Sequence, residues 1–216
     1  MKKITCDTIV FDFNGTLIDD LDICLRLLNE MLIEKGHPGN IDKKKYLSIF
    51  TFPVIDYYAE SGFHFPEDDF PALAKEFDQN YRNAFPSLPL FPDVKDVLTF
   101  FKEKKKLIVL SATKQESLEE ELKIKGIYDF FDNVIGIKDI FGRSKIAEAK
   151  EYFSKQKQDL NDVVFVGDTL HDNEVAKEIG GASILIARGH QSKERLLKAE
   201  GALVLDSLKE LEAILI

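Results

Sequence analysis

The sequence is poor in the residues on which several classes of protein depend. It contains no tryptophan and only two cysteines, Cys6 and Cys24. Two cysteines are too few for a disulfide framework, and these two do not form a C-x-x-C arrangement, so we expect both to be small buried apolar residues in a protein of the reducing cytoplasm. No apolar run reaches the roughly 18 residues that a membrane-spanning helix requires, so no membrane segment is predicted.

Basic residues are outnumbered as well. The chain has 29 lysines and arginines against 38 aspartates and glutamates, for a formal net charge of −9. Nucleic acids and anionic membranes repel a protein of this charge, so neither is an expected partner. The short lysine runs at 43–45 and 104–106 flank helical patterns and are expected to be solvated. Nothing in the sequence predicts the oligomeric state.

What the chain does contain is typical of a globular protein. Hydrophobic residues make up 44% and charged residues 31% of its 216 positions. These fractions are ordinary, and the length suffices for one large core or for a core with a small accessory domain.

Short apolar runs alternate with amphipathic stretches over most of the chain. The runs predict strands near 7–12, 107–110, 134–137, 163–166, 183–186 and 203–205, and the amphipathic stretches predict helices near 114–124, 144–156, 171–180 and 192–199, with one more at the C-terminus. Continuous apolar strands separated by helices are typical of a parallel sheet that is covered on both faces. The predicted fold class is therefore α/β.

Residues 18–89 interrupt this alternation. Leucines at 21, 25, 28 and 32 have helical spacing, further helices are predicted over 53–61 and 67–84, and no strand pattern is present. We therefore predict a core domain of residues 1–17 and 90–216 and an inserted helical domain of residues 18–89. The aromatic residues Phe50, Phe52, Tyr57 and Tyr58 of the insertion could line a cleft or fill its own core.

Two acidic clusters follow predicted strands. The first is Asp12-Phe13-Asn14-Gly15-Thr16, and the second is Gly167-Asp168-Thr169-Leu170-His171-Asp172. Ligands of parallel α/β sheets bind outside the carboxyl ends of the strands, and a carboxylate there can act as a nucleophile, a metal ligand or both. Taken singly, Asp168 and Asp172 could equally cap the helix that follows them.

Two further motifs complete a set of four. Ser111-Ala112-Thr113 ends the second predicted strand, and Lys145 stands in Gly142-Arg143-Ser144-Lys145 at a predicted helix start. In this order the four motifs resemble those of the haloacid dehalogenase superfamily hydrolases, in particular the phosphoglycolate-phosphatase-like group with a helical cap. The resemblance covers the whole chain. It implies a Rossmann-like core with an inserted helical cap, and Mg²⁺-dependent hydrolysis of a small phosphorylated metabolite.

The resemblance also implies roles for the motif residues. It makes Asp12 the nucleophile that forms an aspartyl-phosphate, with Mg²⁺ held by Asp12, the main-chain carbonyl of Asn14 and Asp168. Asp172 joins this metal group by orienting a metal-bound water or Lys145. Carboxylate and carbonyl oxygens are the ligands that Mg²⁺ prefers.

The implied phosphate-binding residues are Thr16, Ser111, Ala112, Thr113 and Lys145. Ser111 offers a hydroxyl, the amides of Ala112 and Thr113 lie near a helix N-terminus that favours anions, and Lys145 supplies a compact positive charge.

The two remaining histidines near the motifs carry no implied role. His171 and His190 are expected to be structural or surface residues.

Position 14 departs from the family pattern. Phosphatases of this superfamily usually carry a second aspartate there, which protonates the leaving group and then activates water, whereas this chain has Asn14. An amide cannot exchange that proton, so a contribution of about 10²–10⁴-fold is expected to be missing.

Several accounts of Asn14 remain open. The enzyme could be slow or restricted to good leaving groups, or another group, such as one from the cap, could supply the proton. The chain could also bind a phosphorylated ligand without turning it over, or deamidation at Asn14-Gly15 could restore an aspartate. Phosphonate-cleaving relatives lack the second aspartate too, but use a cap lysine, for which Lys35 and residues 43–45 are the candidates.

Overall fold

Six strands form one sheet in the computed structural model, which describes residues 3–142, 144–157 and 159–216 of the chain. The strands are β1 Thr8–Phe11, β2 Lys106–Lys114, β3 Asn133–Ile137, β4 Val163–Gly167, β5 Ala182–Ile186 and β6 Leu203–Leu205. Their order across the sheet is β3-β2-β1-β4-β5-β6, and every neighbouring pair is parallel. The predicted α/β class with a parallel, Rossmann-like sheet is confirmed.

Helices occupy the intervals between the strands. Of the helices between β1 and β2, the first four form the helical insertion, namely α1 Leu21–Glu34, α2 Lys43–Ile49, α3 Val54–Ser61 and α4 Phe70–Ala84. The others are α5 Val94–Lys102, α6 Gln115–Ile124, α7 Ile146–Ser154, α8 Leu170–Ile179, α9 Lys193–Leu196 and α10 Leu211–Ile214, with short 3-10 turns at Phe85–Ser87, Tyr128–Phe130, Leu160–Asp162 and Leu208–Glu210.

The sequence patterns do not predict α2 or α5. Helix α2 starts inside the lysine run at 43–45, where Asp42 caps it by accepting from the amide of Lys45 (2.7 Å). Seven residues make two turns, which is too short for a clear periodicity. Helix α5 has buried residues at helical spacing, namely Val94, Val97, Leu98 and Phe101, but follows a proline-rich stretch.

The sheet has an apolar layer on each face. Ile9 and Phe11 of β1 belong to a large cluster that continues into the helical insertion, whereas Val10 belongs to a smaller cluster with side chains of α7 and α8. The central strands β1 and β4 are buried along their whole length. Burial on both faces explains why these strands read as continuous apolar runs rather than as alternating ones.

The register aligns the end of β1 with the end of β4. Phe11 of β1 pairs with Val109 of β2 and with Val166 of β4, and β2 continues to Lys114. Asp12 and Asp168, which follow β1 and β4, therefore lie at one edge of the sheet beside the second half of β2.

The entry and the exit of the insertion lie side by side. Ile18 and Leu90 form an antiparallel bridge, the amide of Asp19 donates to Pro89 (3.0 Å), and the amide of Phe91 donates to Leu17 (3.0 Å). These backbone bonds join the two linkers next to the end of β1.

Cys6 and Cys24 are both buried and form no disulfide, as expected of small apolar residues.

In the described part of the chain, no helix combines the length and the hydropathy that crossing a bilayer requires.

Candidate active site

Lys145 lies between two carboxylates at the carboxyl edge of the sheet. Its Nζ is 2.5 Å from Oδ1 of Asp12 and 2.7 Å from Oδ1 of Asp172, and it also donates to the carbonyl of Leu110 (3.1 Å). Burial alone would lower the pKa of this lysine, but the two carboxylates raise it above its ordinary value. Lys145 is therefore a permanent positive charge beside Asp12. Arg143, which belongs to the same motif, lies outside the described residues.

Asp172 has a double role. Its Oδ2 accepts from the amide (3.0 Å) and the hydroxyl (2.7 Å) of Thr169, which closes a capping box at the start of α8. Its other oxygen receives Lys145. The helix-capping role and the contact with Lys145 thus coexist, and both carboxylate oxygens are engaged.

Asp168 is held from two sides. Oδ1 accepts from the hydroxyl of Thr16 (2.8 Å) and Oδ2 from the amide of His190 (2.7 Å). Thr16 is fully buried and its hydroxyl supports Asp168, while its contact with substrate stays a prediction. A Cβ on Gly15 would lie 2.4 Å from Oδ2 of Asp168, and a Cβ on Gly189 2.1 Å, so only glycine allows this backbone approach.

The three carboxylates form one buried cluster. One oxygen each of Asp12, Asp168 and Asp172 lies within 4.8 Å of the others. Burial and the neighbouring carboxylates raise the pKa of Asp12 to about 8 and that of Asp168 to about 6. A cation among these oxygens would reverse both shifts, and an all-oxygen donor set suits a hard divalent metal ion. The cluster can therefore hold a divalent metal.

Asn14 links the sheet edge to the insertion. Its Oδ1 accepts from the hydroxyls of Thr113 (2.9 Å) and Ser111 (3.4 Å), and its Nδ2 donates to Oδ2 of Asp20 (2.9 Å) and to Oη of Tyr81 (2.8 Å). The amide thus serves as donor and acceptor at once. Tyr81 belongs to α4, so a cap side chain reaches the motif residue directly.

Asp20 is a site residue that sequence reasoning missed. It is buried, and its carboxylate accepts from the amide of Gly15 (2.9 Å), Oη of Tyr81 (2.7 Å) and Nε2 of His190 (3.1 Å). Although burial opposes it, these donors hold the pKa of Asp20 below its usual range. An aspartate directly before a helix suggests an N-cap, but Asp20 makes no side-chain cap bond and faces the motif loop instead.

His190 is a buried residue of the site, which excludes the surface alternative. It is 3% exposed, and its Nδ1 pairs with Oη of Tyr46 (2.9 Å) while its Nε2 pairs with Asp20. Burial opposes protonation, but the carboxylate of Asp20 raises the pKa of His190 to about 9, so the imidazole is charged at neutral pH. His171 is buried as well and bonds to Glu174 (3.0 Å).

The last residues of β2 include the remaining motif residues. The hydroxyl of Ser111 donates to Oγ1 of Thr113 (3.0 Å) and accepts from the amide of Thr113 (3.1 Å). The Thr113 amide is therefore engaged within this segment. Ser111, Ala112 and Thr113 all border a cavity, just before α6 begins at Gln115.

A cavity of about 170 Å³ separates the sheet edge from the insertion. Asp12, Asn14 and Ser111 border it on one side, and aromatic residues of the insertion border it on the other, including Phe50, Phe52, Tyr57, Tyr58, Phe70, Phe77 and Tyr81. Phe50 and Phe52 keep exposed surface towards the cavity, whereas Tyr57 and Tyr58 are also buried in the core of the insertion. Both interpretations of the aromatic segment therefore apply.

Comparisons with known proteins agree with this geometry. The family model for haloacid dehalogenase-like hydrolases matches residues 9–186. The phosphoglycolate phosphatase of Synechococcus elongatus is 24% identical over 192 residues, 88% of each chain, and the pyrophosphatase PpaX of Bacillus pumilus is 22% identical over 218 residues, 99% of this chain and 98% of that protein. A haloacid dehalogenase-like hydrolase structure from Streptococcus pneumoniae superposes with a TM-score of 0.83 at 20% identity, covering 96% of this chain and 97% of that one.

Proposed function

Because this chain belongs to the haloacid dehalogenase-like hydrolase family and is a phosphatase, we propose that it hydrolyses small phosphomonoesters through an aspartyl-phosphate on Asp12. The observation that carries the proposal is the position of Lys145, which contacts both Asp12 and Asp172 beside a third carboxylate, Asp168. Phosphoryl transfer depends mainly on positioning and on neutralising charge, and this arrangement offers both.

Asp12 is the proposed nucleophile. One of its oxygens faces Lys145 and its side chain borders the cavity, which leaves the other oxygen for phosphorus. Attack forms the bond between Asp12 and phosphorus while the ester oxygen leaves with its electron pair. Water then cleaves the aspartyl-phosphate, releasing inorganic phosphate and regenerating the carboxylate.

Asp12, Asp168 and the main-chain carbonyl of Asn14 are the proposed ligands of Mg²⁺. When bound, Mg²⁺ supplies positive charge that offsets the negative charge of the carboxylates and of the phosphoryl oxygens. The raised pKa values of Asp12 and Asp168 support a cation at this place. Asp172 is paired with the ammonium group of Lys145 and closes the capping box with its other oxygen, whereas Asp168 accepts only from a hydroxyl and a backbone amide among the described residues. We therefore assign Asp172 to orienting Lys145 rather than to direct ligation.

The phosphoryl group would be bound by Lys145 and by the last part of β2, namely Ser111, Ala112 and Thr113. Lys145 is charged and buried, so it acts in a region where the attraction for an anion is strong. Thr16 supports Asp168 from behind.

Tyr81 is the proposed source of the leaving-group proton that Asn14 cannot supply. Tyr81 borders the cavity, and its hydroxyl accepts from Nδ2 of Asn14 (2.8 Å) and donates to Asp20 (2.7 Å), so it would exchange the bond to Asp20 for one to the leaving oxygen. Burial and Asp20 raise the pKa of Tyr81 above its ordinary value, which makes it a weak acid. We therefore expect substrates with good leaving groups, such as aryl and acyl phosphates, to be turned over fastest.

A phosphate-binding protein with little or no turnover is the second candidate, and the observation that favours it is Asn14. The phosphonate-cleaving alternative has no support from the described residues. Lys35 and the lysines of residues 43–45 are all exposed, and none of them borders the cavity. A reactive Schiff-base lysine needs a desolvated site.

Phosphate release from a panel of esters tests the proposal. The panel holds an aryl phosphate, an acyl phosphate, phosphoglycolate and pyrophosphate, assayed with Mg²⁺ and with EDTA. The last two are substrates that the names of the relatives suggest. We expect turnover that requires Mg²⁺ and disappears in Asp12→Ala.

Asp22→Ala is the matched control, because this aspartate is exposed and, among the described residues, pairs only with Lys43 (3.2 Å). It should keep full activity. Turnover that survives in Asp12→Ala would exclude the aspartyl-phosphate, and Mg²⁺-dependent ligand binding without any turnover would favour the second candidate. A cytoplasmic location and the domain limits at residues 18 and 89 remain predictions.

A further inference from the structure

The insertion's side of the cavity is an aromatic chamber, lined by Phe50, Phe52, Phe70, Phe77 and Tyr81 together with Phe141 of the core. Phe77 stacks on Tyr81 (ring centroids 5.8 Å apart, planes at 19°) and Phe50 stacks on His190 (4.7 Å, 23°). These neighbours hold the rings in place. Apart from Tyr81, each ring is only half-buried and keeps free surface. Such walls favour a flat apolar group.

One buried carboxyl oxygen at the chamber has no hydrogen-bond partner among the described residues. Glu121 of α6 is 5% exposed, and its Oε2 is buried without a hydrogen bond to any of the described residues. It borders the same cavity. Buried carboxyl oxygens nearly always have a donor, so this oxygen marks a position for a donor from a ligand.

Arg82 and Tyr81 lie near Glu121 but form hydrogen bonds with other residues. Arg82 of α4 bonds to Asp78 (3.2 Å) and to the hydroxyl of Ser117, and Tyr81 donates to Asp20. Desolvation, with Asp20 and Asp78 nearby, raises the pKa of Glu121 to about 8, so its carboxyl is largely protonated at neutral pH. An ammonium group would ionise it, and a hydroxyl would find an acceptor.

The charge around the chamber disfavours anionic leaving groups. Of the described cavity-lining residues, only Lys114 and His190 are basic, whereas Asp12, Asp20, Asp78 and Glu121 are acidic. His190 is paired with Asp20, and Lys114 is paired with Glu116 (3.1 Å). A leaving group that carries a carboxylate or a second phosphate would therefore meet carboxyl groups without a free cation.

We propose that the aromatic chamber binds the leaving group of the substrate, and that this group is an uncharged or cationic aromatic ring whose hydrogen-bond donor contacts Glu121. The inference rests on the proposed function, which puts the phosphoryl group at Asp12, where the sheet edge borders the cavity. It distinguishes this chain from relatives named for phosphoglycolate and pyrophosphate, whose leaving groups are anionic.

Three matched aryl phosphates test the proposal by kcat/KM. O-phosphotyramine carries an ammonium group, para-ethylphenyl phosphate carries no polar group, and para-(carboxymethyl)phenyl phosphate carries a carboxylate of similar length. We expect O-phosphotyramine to exceed the carboxylate compound by at least about tenfold, with the ethyl compound between them. Phosphoglycolate and pyrophosphate should be poorer than all three.

Variants of α6 assign the preference to Glu121. Glu121→Leu should remove the advantage of O-phosphotyramine over the ethyl compound, and Glu121→Gln, which keeps an acceptor but no charge, should reduce it. Glu120→Leu, at an exposed position of the same helix, should leave all rates unchanged. Equal rates for the three compounds, or a preference for the carboxylate that persists in Glu121→Leu, would overturn the inference.

A binding measurement separates this inference from the proposed chemistry. Calorimetric titration of tyramine and of para-hydroxyphenylacetate into the wild type, Asp12→Ala and the two Glu121 variants needs no turnover. Tyramine should bind to the wild type and to Asp12→Ala, and binding should weaken by about tenfold in Glu121→Leu. If binding depends on Glu121 but no ester is hydrolysed, the proposed function fails and the chamber assignment stands. If the esters are hydrolysed without that dependence, the chamber assignment fails alone.

Discussion

The amide of Asn14 and the carboxylate of Asp20 form a matched donor–acceptor pair. Nδ2 of Asn14 donates to Asp20 at 2.9 Å, and Asp20 collects three further donors. In a chain with an aspartate at position 14, two carboxylates would face each other over that distance, and one would have to keep a proton. The residue at position 14 is thus coupled to the one at position 20.

This coupling predicts that Asn14→Asp alone does not restore a fast phosphatase. The new carboxylate loses its bond to Asp20 and repels it, so we expect a stability loss of about 1–3 kcal/mol and little gain in turnover. Adding Asp20→Asn recreates the pair with the groups exchanged and should raise kcat for an alkyl phosphate by about 10²-fold.

Phosphate release and urea unfolding measure these two effects. Asp19→Asn, at the exposed neighbouring position, is the control and should change neither. A double variant that is no faster than the wild type would show that the missing acid does not limit the rate.

The raised pKa of Glu121 predicts that the free energy of unfolding falls as the pH rises. Its carboxyl is protonated in the folded protein up to about pH 8, whereas the unfolded chain releases the proton near the ordinary value of 4.5. Between these two limits the folded state binds more protons, so this group lowers stability by about 1.4 kcal/mol per pH unit at most. The charged or titratable groups that face it are Asp20, Asp78, Tyr81, Arg82, Glu120 and Lys125.

Urea unfolding at several pH values between about 5 and 8 tests this prediction. Glu121→Gln cannot ionise, so its stability relative to the wild type should increase steadily across that range. Parallel pH profiles for the two proteins would contradict the assignment of a buried, protonated Glu121.

The linker that returns from the insertion to the core is held by Lys125, the residue directly after α6. Nζ of Lys125 donates to the carbonyls of Phe85 (2.8 Å), Pro86 (3.1 Å) and Leu88 (2.6 Å) at the end of α4. Together with the bridge between Ile18 and Leu90, these bonds fix where the insertion returns to the core. A lid that closes over the cleft would pivot here.

Lys125→Met should therefore loosen the return linker. Three carbonyls lose a charged donor, so we expect a stability loss of about 1–3 kcal/mol in urea unfolding and faster proteolysis near residues 85–89. Lys123→Met, on an exposed position two residues earlier, is the control. Equal stability of the two variants would show that the contacts of Lys125 carry no net energy.

At the scale of the whole molecule, the insertion and the core share one apolar cluster. It runs without a break from sheet residues such as Ile9 and Val109 to insertion residues such as Leu28 and Tyr46. A continuous cluster couples the unfolding of the two parts, because neither can open without exposing the other.

We therefore expect a single cooperative thermal transition. The absence of tryptophan makes tyrosine the fluorescent reporter, and four of the six tyrosines (46, 57, 58 and 81) lie in the insertion. Tyrosine fluorescence should then follow the insertion and far-UV circular dichroism the whole chain. Coincident midpoints are the expected result, and an earlier fluorescence transition would mean that the insertion unfolds separately.

Local pattern predicted most of the elements and few of the contacts within the site. All six strands follow from their apolar runs, because a strand buried on both faces must be apolar throughout. The short helix α2 does not, because it offers too little periodicity to recognise. The roles of Asp12, Lys145, Asp168 and Asp172 remain predictions, although the structure places their side chains together.

By itself the sequence determined the α/β class, the succession of strands and helices along the chain and the presence of four polar motifs at strand or helix ends, because each depends on residues close together in the chain. Only the tertiary structure decided what surrounds them. Asp20 reaches Tyr81 across 61 positions and His190 across 170. Oε2 of Glu121 has no partner among the described residues, because Arg82 and Tyr81 of α4 bond to other side chains. Such contacts depend on how separate elements pack, and no local pattern records that packing.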